Sequence, residues 1–292
     1  MQSKRFEDMV LRIAVQAKGR LFEDTMSLLH ETGIKLESAK RLLLVSATNF
    51  PLEVLFLRDD DIPQSVADGV ADIGIVGENE FAEKRKHALI VKRLGFSKCR
   101  LSLAIPKGAD YPGVQWFDGK TIATTYPKVL GDFLTENRID AEIHEITGSV
   151  EIAPSIGLAD AIFDLVSSGS TLVTNHLKEV EVVMKSEAVL IKHPSLSAEK
   201  TAILEELLFR IESVLVADDK KYVLMNVPTE NIPQIIEVLP GMRSPTVLSL
   251  AKEGWSSLHA VISEKEFWNI IGKLKALDAE GILVVPIEKM IL

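Results

Sequence analysis

The chain has a single cysteine, Cys99, among 292 residues. One thiol excludes an intramolecular disulfide and a thiolate-rich zinc site, and it fits a reducing compartment. Cys99 itself reads as a small buried hydrophobe. Long apolar runs are missing as well: Leu42 to Leu57 is broken by Asn49, Pro51 and Glu53, far from the ~20 apolar residues that span a bilayer. Met1 to Val10 is polar and mixed in charge, without the apolar core or small-residue cleavage site of a secretory leader. These absences predict a cytoplasmic protein with no membrane role. Basic charge is also scarce, 33 Lys and Arg against 42 Asp and Glu, for a formal net charge of -9. A sequence-independent grip on nucleic acid needs clustered cations, so nucleic acid is not an expected partner, although a local basic pocket for phosphate is compatible with this balance. The six histidines, His30, His87, His144, His176, His193 and His259, show no metal-ligand spacing and read as scattered surface imidazoles. No protein metal ligand is expected from them.

What is present is apolar material for large cores, 47% hydrophobic against 26% charged, in a length that suggests roughly two domains. Leu11 to Gln16 reads as a strand, followed by Lys18-Gly19-Arg20 and an amphipathic helix from Leu21 to Glu31 that stops at Gly33. Leu42 to Val45 and Leu52 to Leu57 read as strands around a turn. Asp61 to Asp68 reads as a helix with Pro63 in its first turn, and Ile73 to Gly77 as a buried strand. After the charged stretch Phe81 to Lys92, strands are expected at Leu101 to Ile105, Thr121 to Thr124 and Ala141 to Ile146, with a helix from Val129 to Asn137. Alternation of this kind implies parallel sheets covered on both faces. Two α/β lobes are expected, with a boundary near 95 to 105 and two strand-like runs in Val180 to Ile191 returning to the first lobe. Ala202 to Val216 carries an apolar stripe of Leu204, Leu207, Leu208, Ile211 and Leu215. Beyond it the order is βαββαβ in about 70 residues, the ferredoxin-like split unit.

Asp160 to Leu172 is the segment richest in chemistry. An apolar stretch carrying Asp160 and Asp164 runs into Ser167-Ser168-Gly169-Ser170-Thr171. Such a loop aims backbone N–H groups and hydroxyls into one concavity, where the dipole of a following helix would favour an anion. Phosphate is the natural guest, and carboxylates just before it can accept hydrogen bonds from ribose hydroxyls. The same composition also makes ordinary turns and helix caps. Lys18-Gly19-Arg20, Arg58 with Asp59 to Asp61, and Gly77-Glu78-Asn79 follow predicted strands, and Asp72 precedes one. Ligands of open α/β sheets bind at the carboxyl ends of strands.

The strings Leu11-Arg-Ile-Ala-Val-Gln-Ala-Lys-Gly-Arg20, Leu57-Arg-Asp-Asp-Asp-Ile-Pro63, Asp72-Ile-Gly-Ile-Val-Gly-Glu-Asn79, Cys99-Arg-Leu-Ser-Leu-Ala104 and Asp164-Leu-Val-Ser-Ser-Gly-Ser-Thr171 closely resemble those of long-form ATP phosphoribosyltransferases, and the likeness continues through Glu179-Val-Glu-Val to Pro286-Ile-Glu-Lys-Met290. The resemblance implies an α/β fold: a two-lobed catalytic part like a type II periplasmic binding protein, plus a C-terminal ferredoxin-like, ACT-like regulatory domain. The expected bounds are 1–100 for lobe I, completed by about 180–217; 101–179 for lobe II with the phosphoribosyl pyrophosphate (PRPP) loop; and 218–292 for the regulatory domain. The implied reaction joins ATP through adenine N1 to PRPP, releasing pyrophosphate with Mg2+, at the entry to histidine synthesis.

On this resemblance Ser167, Ser168, Gly169, Ser170 and Thr171 cradle the 5-phosphate, with Asp164 and Asp160 on the ribose. Arg20, Arg58 and Asp164 are the expected catalytic residues. Lys18, Gly19, Arg20, Arg58, Asp72, Glu78 and Arg100 are the expected ATP and pyrophosphate ligands. Histidine, as inhibitor, is expected at Asp218, Ser244, Thr246 and Ala260, around the loop Gly241 to Thr246. AMP is a candidate competitor, and a homo-oligomer, dimer to hexamer, is implied without the separate synthetase-like subunit that shorter relatives need. Ser168 stands where Thr is common in relatives, and Phe81 to Lys92 is short. An intracellular anion sensor and a phosphoribosyltransferase for another base are the competing readings of the residues themselves.

Overall fold

Leu11, Ile13, Ala14 and Val15 have no exposed surface, as befits a strand covered on both faces. In the computed structural model, which describes residues 10–37, 43–239 and 244–292, they form β1 (Leu11–Gln16). Then follow α1 (Arg20–Glu31), β2 (Leu44–Ser46), β3 (Leu52–Leu57), α2 (Ile62–Ala67), β4 (Ile73–Gly77), α3 (Glu78–Lys84) and β5 (Leu89–Arg93). The second sheet takes β6 (Cys99–Pro106), β7 (Thr121–Thr124), β8 (Glu142–Glu145), β9 (Ala161–Val166) and β10 (Leu177–Ser186), with α4 (Pro127–Asn137) and α5 (Ser170–Thr174); β11 (Ala188–Lys192) and α6 (Ala198–Ala217) follow. By contacts the chain divides into one unit of 34–204 with the segment ending at Ser27, and a second of 28–33 with 205–292.

Within the first unit lie two lobes, with sheet orders β2-β3-β1-β4-β11-β5 and β10-β6-β9-β7-β8. Both sheets are mixed rather than parallel. β1, β3 and β4 run parallel, while β11 is antiparallel to β4 and β5. β7, β8 and β9 run parallel, while β6 is antiparallel to β9 and β10. Of the two runs expected to return to lobe I, only β11 does. β10 stays in lobe II, because its register is spent along β6 from Pro106 to Cys99. The chain therefore crosses between lobes twice, after β5 and after β10, and the crossings touch where Ala188 N–H donates to Phe96 O at 3.0 Å.

The segment Phe81 to Lys92, opaque to periodicity, supplies most of α3 and most of β5. Core packing explains one glycine: a Cβ on Gly74 would sit 2.7 Å from Ile62 Cγ2 and 3.0 Å from Val66 Cγ2, so its absence lets α2 close onto β4. The lobe II core is built on Leu101, Leu103, Ile105, Phe117, Ile122, Leu130 and Phe163.

The second unit carries β12 (Lys220–Pro228), α7 (Ile232–Val238), β13 (Thr246–Ser249), β14 (Trp255–Ser263), α8 (Glu264–Ala276) and β15 (Glu280–Pro286) in sheet order β13-β14-β12-β15. All pairings are antiparallel, which is the ferredoxin-like arrangement of a βαββαβ chain. Alternate residues Val223, Met225 and Val227 face Leu258, Ala260, Ile262, Phe267 and Leu274 in its core. Ser263 begins α8 with a reciprocal capping box to Glu266, a local device worth about 1 kcal/mol. Among the described residues no helix is long and apolar enough to cross a membrane.

Candidate active site

Parallel β1, β3 and β4 deliver their carboxyl ends to one rim of lobe I. A cavity of about 250 Å³ opens there, lined by Gln16, Arg20, Asp59, Gly77, Asn79 and Glu80 of lobe I, by Ser97, Lys98 and Cys99 of the crossing segment, and by Tyr126, Leu165 and Ser167 of lobe II. It is a cleft between lobes. Arg20 opens α1 directly after Gly19, which has φ +96°. Its side chain is 68% exposed and its one ion pair, to Asp24, is long at 3.9 Å. Lys18 is exposed beside it. Arg58 is more exposed still, at 81%, with Nε 3.2 Å from Asp60; it stands at the carboxyl end of β3.

The serine loop joins β9 to α5. Gly169, with φ +79° and ψ 0°, is left-handed, a conformation that costs other residues about 1–2 kcal/mol. Ser168 Oγ and Ser170 Oγ are 2.9 Å apart, and among the described residues no acceptor serves the backbone N–H groups of Ser168, Gly169 and Thr171. With five residues, α5 is too short to carry a full macrodipole. What the loop itself presents is its own N–H groups and hydroxyls, not the full-length helix expected behind them.

Arg100 anchors the loop from outside. Its fork closes on both Glu179 oxygens at 2.5 Å while its third nitrogen donates to Ser167 O at 3.0 Å. Ser102 Oγ adds a bond to Glu179 at 2.6 Å. The Arg100 hydrogen bond, foremost, holds the Glu179 carboxyl below the usual carboxylate range, so the clamp is charged at neutral pH. Asp164, one turn of pleat before the loop, is half-buried. Burial pushes its carboxyl up to about 6, against a lowering bond from Leu165 N–H and with Glu151 adding repulsion. Together with Glu80 and Asp59, Asp164 also pushes up the buried Tyr126 phenol, desolvation being the larger cause. A carboxyl perturbed this way inside a cleft is the kind of group found at functional sites.

Three expected site residues stand elsewhere. Asp72 precedes β4, at the end of the sheet away from the cleft. Its carboxylate accepts Arg12 N–H at 2.8 Å and pairs with Lys200 Nζ at 2.9 Å, so its contacts are those of a buried structural ion pair. Asp160 precedes β9 and accepts Thr121 N–H at 3.0 Å, roughly 20 Å along the strand from the loop at ~3.3 Å per residue. Glu78 pairs with Arg93 at the start of α3, close to the crossing strands rather than in the cleft proper.

Sequence reading named Asn79 only as a strand-end residue and passed over Tyr126, Ser186 and Glu83, which with it join the lobes. Asn79 Nδ2 donates to Tyr126 Oη at 3.1 Å, and Asn79 is tied through Ser186 Oγ, which donates to Asn79 Oδ1 at 2.8 Å. Glu83, 6% exposed, accepts the N–H groups of Lys128 and Val129 at 3.0–3.1 Å. It caps α4 from the opposite lobe, since the N-cap Tyr126 has no side-chain cap of its own.

In the second unit Asp218 follows the last residue of α6 and Ser244 and Thr246 are exposed at the sheet edge, while Ala260 turns its side chain into the core. Ala260 thus offers a ligand only its backbone. Gly241, Met242 and Arg243 of the same loop lie outside the described residues. On the open face His259 is held by Tyr222 Oη at 2.8 Å and Ser257 Oγ at 3.0 Å.

Two α/β lobes with a polar cleft at their strand ends define the type II periplasmic-binding-protein class, here joined to a ferredoxin-like tail. Residues 58–213 match the ATP phosphoribosyltransferase family and residues 217–289 match the HisG C-terminal domain. An ATP phosphoribosyltransferase of Phocaeicola vulgatus is 71% identical over 97% of this chain and 100% of its own, and one of Bacteroides thetaiotaomicron is 69% identical with the same shares. A solved ATP phosphoribosyl transferase (HisG:HisZ) complex from Thermotoga maritima aligns with TM-score 0.59 and 29% identity, covering 70% of this chain and 99% of that one. The chain belongs to the ATP phosphoribosyltransferase family, the pentosyl transferases of the first step of histidine biosynthesis.

Proposed function

We propose that PRPP binds with its 5-phosphate on Ser167 to Thr171 and its ribose hydroxyls on Asp164, and that ATP enters the same cleft from the side of Arg20 and Arg58. The observation that carries this reading is the set of N–H groups at Ser168, Gly169 and Thr171 that have no acceptor among the described residues, beside the half-buried Asp164 carboxyl, which accepts the N–H of its neighbour Leu165. Adenine N1, a neutral nucleophile, attacks the anomeric carbon as the C1–O bond to pyrophosphate breaks, giving N1-phosphoribosyl-ATP with inversion. No strong base is needed to start. Catalysis is alignment plus stabilisation of charge on the departing pyrophosphate, with Arg20 the best-placed cation of the cleft. Asp72 and Asp160 have no role in this reading; Arg100 acts through Ser167 and not on substrate.

Among the described residues no three His, Cys, Asp or Glu side chains converge to hold a metal ion. In this reading magnesium arrives on the polyphosphates as part of the substrate, as suits an ion that keeps most of its coordination for water and phosphate oxygens, and no step is assigned to it. Histidine acts through the second unit by favouring one of two conformations, in a homo-oligomer of dimers or hexamers within the cytoplasm. Mixing the protein with PRPP and magnesium should release pyrophosphate only when ATP is added, and histidine should slow that release. Release with another base, or none with ATP, would refute the assignment.

Asp164 supplies a second test. Burial pushes its carboxyl from the ordinary 3.8 up to about 6. Burial of the charge therefore costs stability that is absent below about pH 4 and fully felt above about 6. That cost is on the order of 1–2 kcal/mol for a group that stays partly solvated. Asp164→Asn should raise Tm at pH 7.5 by a few degrees and leave it unchanged at pH 4, while the KM for PRPP rises about tenfold or more. The wild-type kcat/KM for PRPP should fall on an acid limb near pH 6. A phosphate group titrates in the same region, so loss of part of that limb in the Asn variant is the decisive comparison.

A further inference from the structure

A second cavity, of about 600 Å³, lies against the two interlobe crossings and shares Lys98, Cys99 and Ser167 with the cleft. Four cations line it, Arg93, Lys98, Arg100 and Lys185, against the two acids Glu78 and Glu187. Both acids are matched by Arg93, and Arg100 is committed to Glu179 and Ser167. Lys98 and Lys185 have no ion pair among the described residues. Lys185 moreover stands directly opposite Arg100 in the β6–β10 ladder, and like charges placed so are destabilising. In a chain with nine more acids than bases, two cations left without a counter-charge around one concavity raise its affinity for a multivalent anion.

We propose that this cavity is a polyphosphate subsite whose free cations are Lys98 and Lys185. The proposal rests on the placement of PRPP given above. Ser167 and Lys98 line both the cleft and this cavity and Lys185 lines the cavity, so a substrate polyphosphate that leaves the serine loop by Ser167 enters the space these two lysines border. Neither lysine touches the reacting carbon; both are positioning residues for the substrate tail. The shared chemistry is a linear polyphosphate, which either the ATP triphosphate or the PRPP pyrophosphate could present.

The test uses the full-length enzyme and its Lys98→Gln and Lys185→Gln variants, both exposed positions, with Lys265→Gln as a control for net charge. Inorganic tripolyphosphate is titrated calorimetrically into each protein, and KM is measured for ATP and for PRPP. The expected result is tripolyphosphate binding weakened about tenfold per cavity lysine, with the control unchanged. A matching rise in KM for ATP alone assigns the triphosphate; a rise for PRPP alone assigns its pyrophosphate. Tripolyphosphate binding and both KM values unchanged in the two variants, or lowered equally in the control, would overturn the proposal. The calorimetric arm needs no assumption about the serine loop. Lysine-dependent tripolyphosphate binding beside a PRPP KM insensitive to Asp164→Asn would sink the loop reading and leave this subsite standing.

Discussion

Arg20→Ala should lower kcat/KM by on the order of 10²–10³ while leaving Tm within about 1 °C. The two halves of this expectation have separate causes. Stability is indifferent because the side chain is 68% exposed and its ion pair to Asp24 is 3.9 Å long, and exposed pairs contribute about 0–1 kcal/mol. Turnover is not indifferent, because Arg20 is the arginine among the lining of the interlobe cleft, and its charge is felt as far as Cys99 on the other side, where burial nevertheless leaves the thiol raised. A cation so placed stabilises charge that develops only as pyrophosphate leaves, so the loss should fall on kcat at least as heavily as on KM. Arg20→Lys should recover part of the rate, since the charge returns but the planar fork does not. Steady-state kinetics with both substrates varied, and a thermal melt of each variant, decide the matter. Normal kcat/KM in the alanine variant would remove Arg20 from the mechanism.

The second large effect is on the framework. Glu83→Ala should destabilise the first unit by about 2–4 kcal/mol, because a nearly buried carboxylate that accepts three bonds from the start of α4 leaves Lys128 and Val129 N–H groups unserved when removed. The helix dipole adds to the loss, since the carboxylate sits at its positive end. For a unit of about two hundred residues this is roughly 5–15 °C in Tm. Glu83→Gln, keeping one acceptor oxygen, should fall between. Because the bond crosses from α3 of one lobe to α4 of the other, the alanine variant should also lose catalytic efficiency through poorer alignment of Asn79 and Tyr126 across the cleft. The Arg85 and Asp132 pair beside it is exposed, and Asp132→Ala should shift Tm by no more than about 2 °C. Equal effects of Glu83 and Asp132 substitutions would show that the helix cap does not hold the lobes.

The ferredoxin-like tail was legible in its order of elements: the βαββαβ succession expected after Val216 is the one found from Lys220 to Pro286. The turn from β9 into α5 was legible too, because Ser, Gly and Thr after an apolar strand mark a turn and a helix start. The direction of the strands in each lobe was not. An antiparallel β6 or β11 has the same apolar character as a parallel one, and its direction depends on where the chain crosses between lobes. Nor did the pattern separate the acids. Asp72, Asp160 and Asp164 all flank or interrupt apolar strands, yet Asp72 meets Lys200, 128 residues away, and Asp160 meets Thr121, 39 residues away, leaving only Asp164 beside the loop.

Local sequence determined most of the strands and helices, α3 and β5 excepted, and which stretch could receive a phosphate, since those properties depend on neighbours within a few residues. The tertiary structure decided which charges are free. Whether a carboxylate or an ammonium is neutralised depends on partners tens to hundreds of residues distant, brought within 3 Å by the packing of the sheets. Glu83 capping a helix of the opposite lobe, Arg93 taking both acids of the cavity beside the crossings, and Lys98 and Lys185 left without an ion pair among the described residues all follow from that long-range geometry.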